Sequence, residues 1–517
     1  MSIHKSIAKS AGVIGIATLC SRILGFIRDI IIARLFGVYI YAQAFVIAFR
    51  IPNLFRDLVG EGAVNAAIVP VFSEYRHKYT KEEFWDLANV VLNLLLVILM
   101  AITILGIILS PLLVRIFAPG FVADPQKLAA TITLNRIIFP YILLISLAAY
   151  AMGILNSLKH FAVPAFAPCL LNIAIIVSAL IFGEGITGLA VGVLVGGFLQ
   201  LAIQIPVLYK KGFHLKLFQH FRHPAAKTIG KLMVPRIFSS GIYQLNNVID
   251  SIFGSLAFIV GDGAVAALYF AYRLIQFPLG IFSNALAQAI LPTFSVQALD
   301  EHRKDLKTTL SFGLRAVFFV MFPALVLFTS YAQPIIKTIF EYGKFDSYAT
   351  DMTASVLRFY SFGLVAYSVT KILQSCFFAL KDTVTPAKIA GLNLGLTIIF
   401  NGILIFPLKI SGIALATSLS GIICSFTLFG ILKRKLKPFD DTDIVVSFFK
   451  ISAASLCMRL VCLWLQKNII CCGGLFDKIL YLILLLSLGV VSYITFCFIF
   501  RVREIHELRR WLFKKAL

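Results

Sequence analysis

Apolar runs of about twenty residues recur along the whole chain, separated by short polar or basic segments. Fourteen can be traced, at 11–36, 41–72, 85–109, 130–156, 163–183, 186–209, 232–256, 263–292, 312–333, 352–379, 386–407, 410–432, 444–466 and 478–500. A helix of about twenty apolar residues crosses the hydrocarbon core of a bilayer. The pattern therefore predicts an all-α polytopic membrane protein with about 14 transmembrane helices, and an even count leaves both termini on one side. The second and eighth runs are the least regular, with charges, proline and glycine inside them.

The pattern also repeats itself at an offset of 222 to 224 residues. "IVPVFS" (68–73) returns as "ILPTFS" (290–295), Arg136 matches Arg358, and "LKHFAVPA" (158–165) matches "LKDTVTPA" (380–387). "ITGLAVG" (186–192) returns as "ISGIALA" (410–416), and Gly197 is matched by Gly421. Several matches in order at nearly constant spacing mark a duplicated six-span unit. Two six-helix lobes are expected, 1–210 and 232–433, related by a pseudo-twofold axis along the membrane normal. A basic linker (211–231) joins them, and 434–517 adds two further spans and a basic tail. Such an architecture favours a central cavity and rocking alternating access.

Charge then orients the chain. Lys210, Lys211, Lys216, Arg222, Lys227 and Lys231 fall in one linker without an acid; Arg76–Lys81, Arg303–Lys307, Lys433–Lys437 and Arg501–Lys515 are further basic clusters on the same face. Opposite loops such as "FGEGITG" and "VGDGAVAA" carry no base. The basic face is expected to be cytoplasmic, with both termini. The net charge of +23 is thus topological and does not call for a nucleic-acid partner.

With 60% of the residues hydrophobic and 14% charged, a soluble chain is excluded. The run after Lys5 and Lys9 continues through charges without a cleavage pattern, so the first span is expected to be retained. The nine cysteines lie mostly in apolar runs, Cys471 and Cys472 excepted, and suggest neither a disulfide framework nor a zinc site. Walker-type and HExxH motifs are missing from the sequence, which disfavours an ATPase or a metalloenzyme.

The chemistry lies in charges at membrane depth. "SRILGFIRD" carries Arg22, Arg28 and Asp29, with Arg22 and Asp29 seven apart and so on nearly one helix face. "FRIPNLFRDLVGEGAV" places Arg50, Arg56, Asp57 and Glu61 around Pro52, Gly60 and Gly62, where a bend is expected. In the second half, "YFAYRLIQFPLG" carries Arg273 before Pro278. Each such charge is disfavoured by ~2.5–3.5 kcal/mol and so faces protein or water. An excess of guanidinium over carboxylate points to an anionic ligand. The alternative is mutual neutralisation, such as Arg28 with Asp57.

These residues also resemble a known family. "SRILGFIRD", "FRIPNLFRDLVGEGA", "VPVFSEY", "APGF", "FAVPAFAPCLLNI", "YRLIQFPLGIF" and "YGKF" are similar to the MurJ (MviN-like) lipid II flippases, within the multidrug/oligosaccharidyl-lipid/polysaccharide exporter superfamily. The resemblance is most specific over 20–75 and 136–175 and weakens after about 430. It implies movement of the undecaprenyl-pyrophosphate-linked peptidoglycan precursor, lipid II, from the inner to the outer leaflet of the bacterial cytoplasmic (inner) membrane. It further implies a monomer among membrane lipids, working beside the cell-wall synthesis machinery, with no catalytic residues and no cofactor beyond a coupling sodium ion. By motif match the substrate-binding set is Arg22, Arg28, Asp29, Arg56 and Arg273, with Arg50 and Glu61 added as flanking candidates. Gln43 and Tyr272 stand where relatives carry acids. A sodium site is implied at Asp250, Thr397, Asn401, Thr417 and the Ile413 carbonyl; alternatively Asp250 hydrogen-bonds Asn246 or Asn247. The last two spans are implied to form a groove for the polyprenyl tail, or else pack against lipid. Alternatives are export of another polyprenyl-linked glycan or amphipathic anion, and a membrane glycosyltransferase. The last would need a carboxylate on an outer loop, where Asp124 and Asp346 are among the few acids.

Overall fold

The structure is a computed structural model that describes residues 3–56, 65–217, 223–300, 304–469 and 473–506; Asp57, Glu61, Cys471 and Cys472 lie outside them. All regular structure among the described residues is helical, with no strand. By contacts the chain divides into two compact units, Met1–Phe258 with Tyr342–Phe345, and Ile259–Glu341 with Asp346–Leu517.

Unit 1 contains α1 (Ile3–Phe36), α2 (Ile40–Phe55), α3 (Asn65–Lys78), α4 (Lys81–Ile108), α5 (Ser110–Phe117), α6 (Pro125–Ile138), α7 (Tyr141–Ser157), α8 (Ala162–Phe182), α9 (Ile186–Ala202), α10 (Ile205–Lys210) and α11 (Pro224–Gly254). After the short α12 (Ala257–Val260), unit 2 contains α13 (Ala264–Pro278), α14 (Asn284–Gln297), α15 (Lys304–Ser330), α16 (Ala332–Phe340), α17 (Ser347–Ser361), α18 (Leu364–Ala379), α19 (Val384–Leu408), α20 (Ile410–Lys435), α21 (Thr442–Asn468) and α22 (Leu475–Ile499).

The internal pairings of the two units follow one scheme. In unit 1, α2 packs on α6, α3 and α4 on α7, α6 and α7 on α9, and α8 on α9. In unit 2, α13 packs on α17, α14 and α15 on α18, α17 and α18 on α20, and α19 on α20. Helix starts agree with the sequence offset: Ser347 follows Pro125 by 222 residues, and Ile410 follows Ile186 by 224.

Local signals recur with the same offset. Asp124 accepts from the Lys127 amide (3.1 Å) at the start of α6, and Asp346 accepts from the Ala349 amide (2.9 Å) at the start of α17. Both acids thus satisfy helix N-termini. That gives each a structural role and weakens the glycosyltransferase alternative. At the other end of each repeat, Lys159 (φ 60°) and Lys381 (φ 58°) adopt the left-handed conformation. The following amides reach back five residues, His160 to the Leu155 carbonyl (2.8 Å) and Asp382 to the Phe377 carbonyl (2.9 Å). These bonds occupy helix-end carbonyls and offset the roughly 1–2 kcal/mol that a non-glycine residue loses there.

Among the described residues ten helices are long and apolar enough to cross a membrane, and α17 with α18, bent by 44°, makes up to eleven. The sequence runs that fall outside this set are the first, second and seventh, which contain the intramembrane charges of α1, α2 and α11. Between α13 and α14, Leu279–Ser283 form a π-helical turn directly after Pro278. Proline has no amide hydrogen to donate, so the helical ladder breaks and reforms with a wider spacing just past Arg273.

Candidate functional site

In unit 1, α1 packs along α8, and the contact is polar where the charges lie. Arg28 and Asp29 are 5% and 1% exposed. Arg28 Nε and Nη2 both donate to Asp29 Oδ1, at 3.0 and 2.8 Å. Arg28 Nη1 donates to Asn172 Oδ1 of α8 at 3.0 Å. The Asn172 amide in turn donates to the Ser21 carbonyl (3.1 Å) and the Pro168 carbonyl (3.3 Å), which fixes its orientation. Arg28 is therefore neutralised by its sequence neighbour. Asp57, named above as a partner, lies outside the described residues.

Arg22 is different. It is exposed on the same helix, and among the described residues no hydrogen bond or ion pair engages it. Although Arg22 and Asp29 share a helical phase, Arg22 is exposed and Asp29 is buried. Arg50 and Arg56 on α2 are half-buried, and Gln43 is buried. Glu61 lies outside the described residues.

In unit 2, Arg273 on α13 is half-buried. Its Nη2 donates to the Tyr269 hydroxyl (2.9 Å), its Nη1 lies 3.5 Å from Gln276 Oε1, and its guanidinium sits 4.9 Å from the Tyr269 ring centroid. Tyr269 and Gln276, one turn to either side, hold the guanidinium flat against the helix. Tyr272, in place of an acid, packs on Tyr360 at 5.6 Å.

The residues implied for sodium divide between the units. Asp250 is half-buried near the end of α11, which packs on α3, α4 and α5 in unit 1. Thr397 and Asn401 on α19, and Ile413 and Thr417 on α20, belong to unit 2. These two helices form an antiparallel pair turning at Lys409, so Asn401 and Thr417 both lie about 12 Å from the turn. Thr397 donates to the Asn393 carbonyl (2.8 Å) and Thr417 to the Ile413 carbonyl (3.2 Å), leaving hydroxyl and carbonyl lone pairs. Asn401 is 0% exposed, and among the described residues neither end of its amide has a hydrogen-bond partner. An orphaned buried amide is disfavoured by about 1–3 kcal/mol, and an oxygen-ligated cation would offset that. The donor set fits sodium in kind.

Unit 2 also carries an open apolar groove of about 380 Å³ between α15, α18, α20 and α21, lined by Phe318, Phe322, Phe426, Phe429, Phe448 and Phe449 among others. α21 contributes to its wall, while α22 packs behind α21.

Asn172 is the residue that spacing arguments passed over. Its signal was present, a lone amide inside the apolar run "APCLLNIAIIV".

An all-helical membrane chain with two units of one pairing scheme, and guanidiniums set into its spans, has the fold of the MATE-type exporters. It superposes on the inward-facing conformation of a multidrug resistance MATE family transporter of the MOP superfamily with a TM-score of 0.68 at 18% identity, covering 81% of this chain and 96% of that one. The chain belongs to the MurJ lipid II flippase family, whose model, "Lipid II flippase MurJ", matches residues 32–484. It is 34% identical over 501 residues to a probable lipid II flippase MurJ of Buchnera aphidicola subsp. Schizaphis graminum, covering 95% of this chain and 96% of the relative. A solved lipid II flippase MurJ in an inward closed conformation matches with a TM-score of 0.81 at 29% identity, over 95% of this chain and 99% of that one.

Proposed function

We propose that this protein is a lipid II flippase of the bacterial inner membrane, and that Arg22 and Arg273 hold the anionic head group while it crosses. The observation that carries the site is the contrast within α1: Arg28 is committed to Asp29 and Asn172, whereas Arg22 presents its guanidinium to solvent. A guanidinium fork matches pyrophosphate and carboxylate oxygens. Arg28, Asp29 and Arg56 complete the set, and Asp29 holds Arg28 in reserve as a competing anion. The apolar groove bordered by α21 suits part of the polyprenyl tail.

The repeated pairings support two six-helix lobes, 1–210 and 232–433, moving by alternating access. By the repeat α11 heads the second lobe, although it packs against unit 1 helices here. Ten apolar helices, the bent α17–α18 span, and α1, α2 with α3, and α11 make up fourteen crossings. The protein acts as a monomer with cytoplasmic termini, beside the cell-wall synthesis machinery. Cysteines placed in "KKGFHLK" (210–216) are expected to react with a charged thiol reagent only from the cytoplasm, and those in "FGEGITG" (182–188) only from outside. Reaction of both from one side would break the fourteen-span arrangement.

Asp250, Thr397, Asn401, Thr417 and the Ile413 carbonyl would hold a sodium ion, which supplies a positive charge that ties carriage to an ion gradient. Purified protein in liposomes is expected to move labelled lipid II without nucleotide, and sodium, unlike choline, to raise its melting temperature. Asn401→Leu and Asp250→Ala should remove most of that shift. Strict ATP dependence, or an unchanged sodium shift in both variants, would count against the coupling.

A further inference from the structure

The apolar groove of unit 2 changes character along its length. On α15 Leu314, Phe318, Phe322 and Leu325 line it, and one further turn along the same face brings Thr329, beside the helix end at Ser330. On α21 Val445 and Phe448 line it, and the same face continues through Ser452 and Ser455 to Arg459. The two helices run parallel and in step. The Phe318 and Phe448 rings meet at 5.4 Å, and further along both helices Arg459 Nη1 donates to Thr329 Oγ1 at 3.4 Å. Both helices start beside basic clusters that the charge asymmetry assigns to the cytoplasm, so Thr329 and Arg459 stand at the outer-leaflet end. The groove is thus aromatic at mid-membrane and polar at its outer end.

Arg459 is half-buried, and among the described residues no carboxylate pairs with it and Thr329 is its one hydrogen-bond partner. A guanidinium inside a span is disfavoured unless something anionic offsets it. Ser455 is 2% exposed, and neither its hydroxyl nor that of Ser452 has a partner among the described residues. Buried hydroxyls ordinarily find one. Trp464, 64% exposed and roughly 8 Å farther out along α21, marks the membrane–water boundary, where lipid phosphates lie.

We propose that Arg459, with the Ser452 and Ser455 hydroxyls, holds the pyrophosphate of lipid II at the outer leaflet while the polyprenyl tail still lies in the groove. The proposal rests on the reading that the groove takes that tail. The order of chemistry is that of an outer-leaflet lipid, with its head outermost and its chain running inward past Phe318 and Phe448. A phospholipid phosphate shares the chemistry, but one groove accepts one chain, as a polyprenyl lipid has, where a phospholipid brings two. The guanidinium fork and the adjacent hydroxyls together offer donors to two linked phosphates.

The test uses full-length protein in nanodiscs with Arg22→Ala and Arg273→Ala in place, so that these two arginines contribute nothing to binding. The probes are undecaprenyl pyrophosphate and undecaprenol. The pyrophosphate is expected to bind about tenfold more tightly than the alcohol. Adding Arg459→Leu should remove that difference by weakening the pyrophosphate alone, and Arg459→Lys should keep part of it. Equal affinity for the two probes before Arg459 is changed, or a difference that persists in Arg459→Leu, would overturn the proposal. So would an equal loss for both probes in Arg459→Leu and Arg459→Lys, since Arg459 would then only shape the groove. Equal displacement of the pyrophosphate by phosphatidylglycerol would give the site to phospholipid and overturn the assignment to lipid II. If undecaprenol does not bind, the tail-groove reading falls and this proposal with it. If undecaprenol binds and Arg459→Leu leaves the pyrophosphate difference intact, only the role of Arg459 falls.

Discussion

Arg28→Ala is expected to destabilise the protein by about 3–5 kcal/mol and to deplete it from the membrane, because it removes a charge partner and two hydrogen bonds from Asp29, which is 1% exposed. Asp29 Oδ1 accepts two hydrogen bonds from Arg28, and Asn172 Oδ1 accepts a third. Removing both charges is a milder change than removing one, since a buried pair repays its desolvation only in part. The double variant Arg28→Ala/Asp29→Ala should therefore recover most of the lost stability without recovering transport. Melting temperature and membrane abundance for the two single variants and the double complete a thermodynamic cycle. A single variant as stable as the parent would mean that the pair contributes nothing to the fold.

Arg22→Ala is expected to do the opposite: no loss of abundance and no stability change beyond about 0.5 kcal/mol, but failure to move lipid II. Its guanidinium is exposed and makes no hydrogen bond among the described residues, so nothing in the fold depends on it. Arg273→Ala should join it in losing transport, with a modest stability change from Tyr269 and Gln276. Each charged hydrogen bond to the head group accounts for roughly 1.5–3 kcal/mol, or about ten- to a hundredfold in affinity. Lysine at either position keeps the charge and loses the fork, so Arg→Lys variants should fall between parent and alanine. Exposed Lys210, outside the proposed path, should tolerate alanine.

Much of the fold is legible in the sequence because it is duplicated. The 222–224 offset predicts repeat-related helix starts, and Pro125/Ser347 and Ile186/Ile410 follow it. The left-handed lysines at 159 and 381 are less legible, since "LK" carries no turn residue and only the following amide's bond to the carbonyl five residues back makes the conformation tolerable. The candidate site is harder still. Helix spacing says which Cα positions share a face, and adjacent residues do not face each other. It says nothing of a long arginine folding back onto the next residue, as Arg28 does onto Asp29. Asn172 lies 144 residues from Arg28, and only tertiary packing brings them together.

The most direct test of the head-group mechanism is the accessibility of labelled lipid II in proteoliposomes containing only this protein, compared with its Arg22→Ala and Arg273→Ala variants at equal reconstituted amounts. The predicted result is that the parent exposes inner-leaflet head groups to an impermeant reagent, while both variants, folded and melting normally, stay at the level of protein-free vesicles. Parent-like exposure by both variants would contradict it.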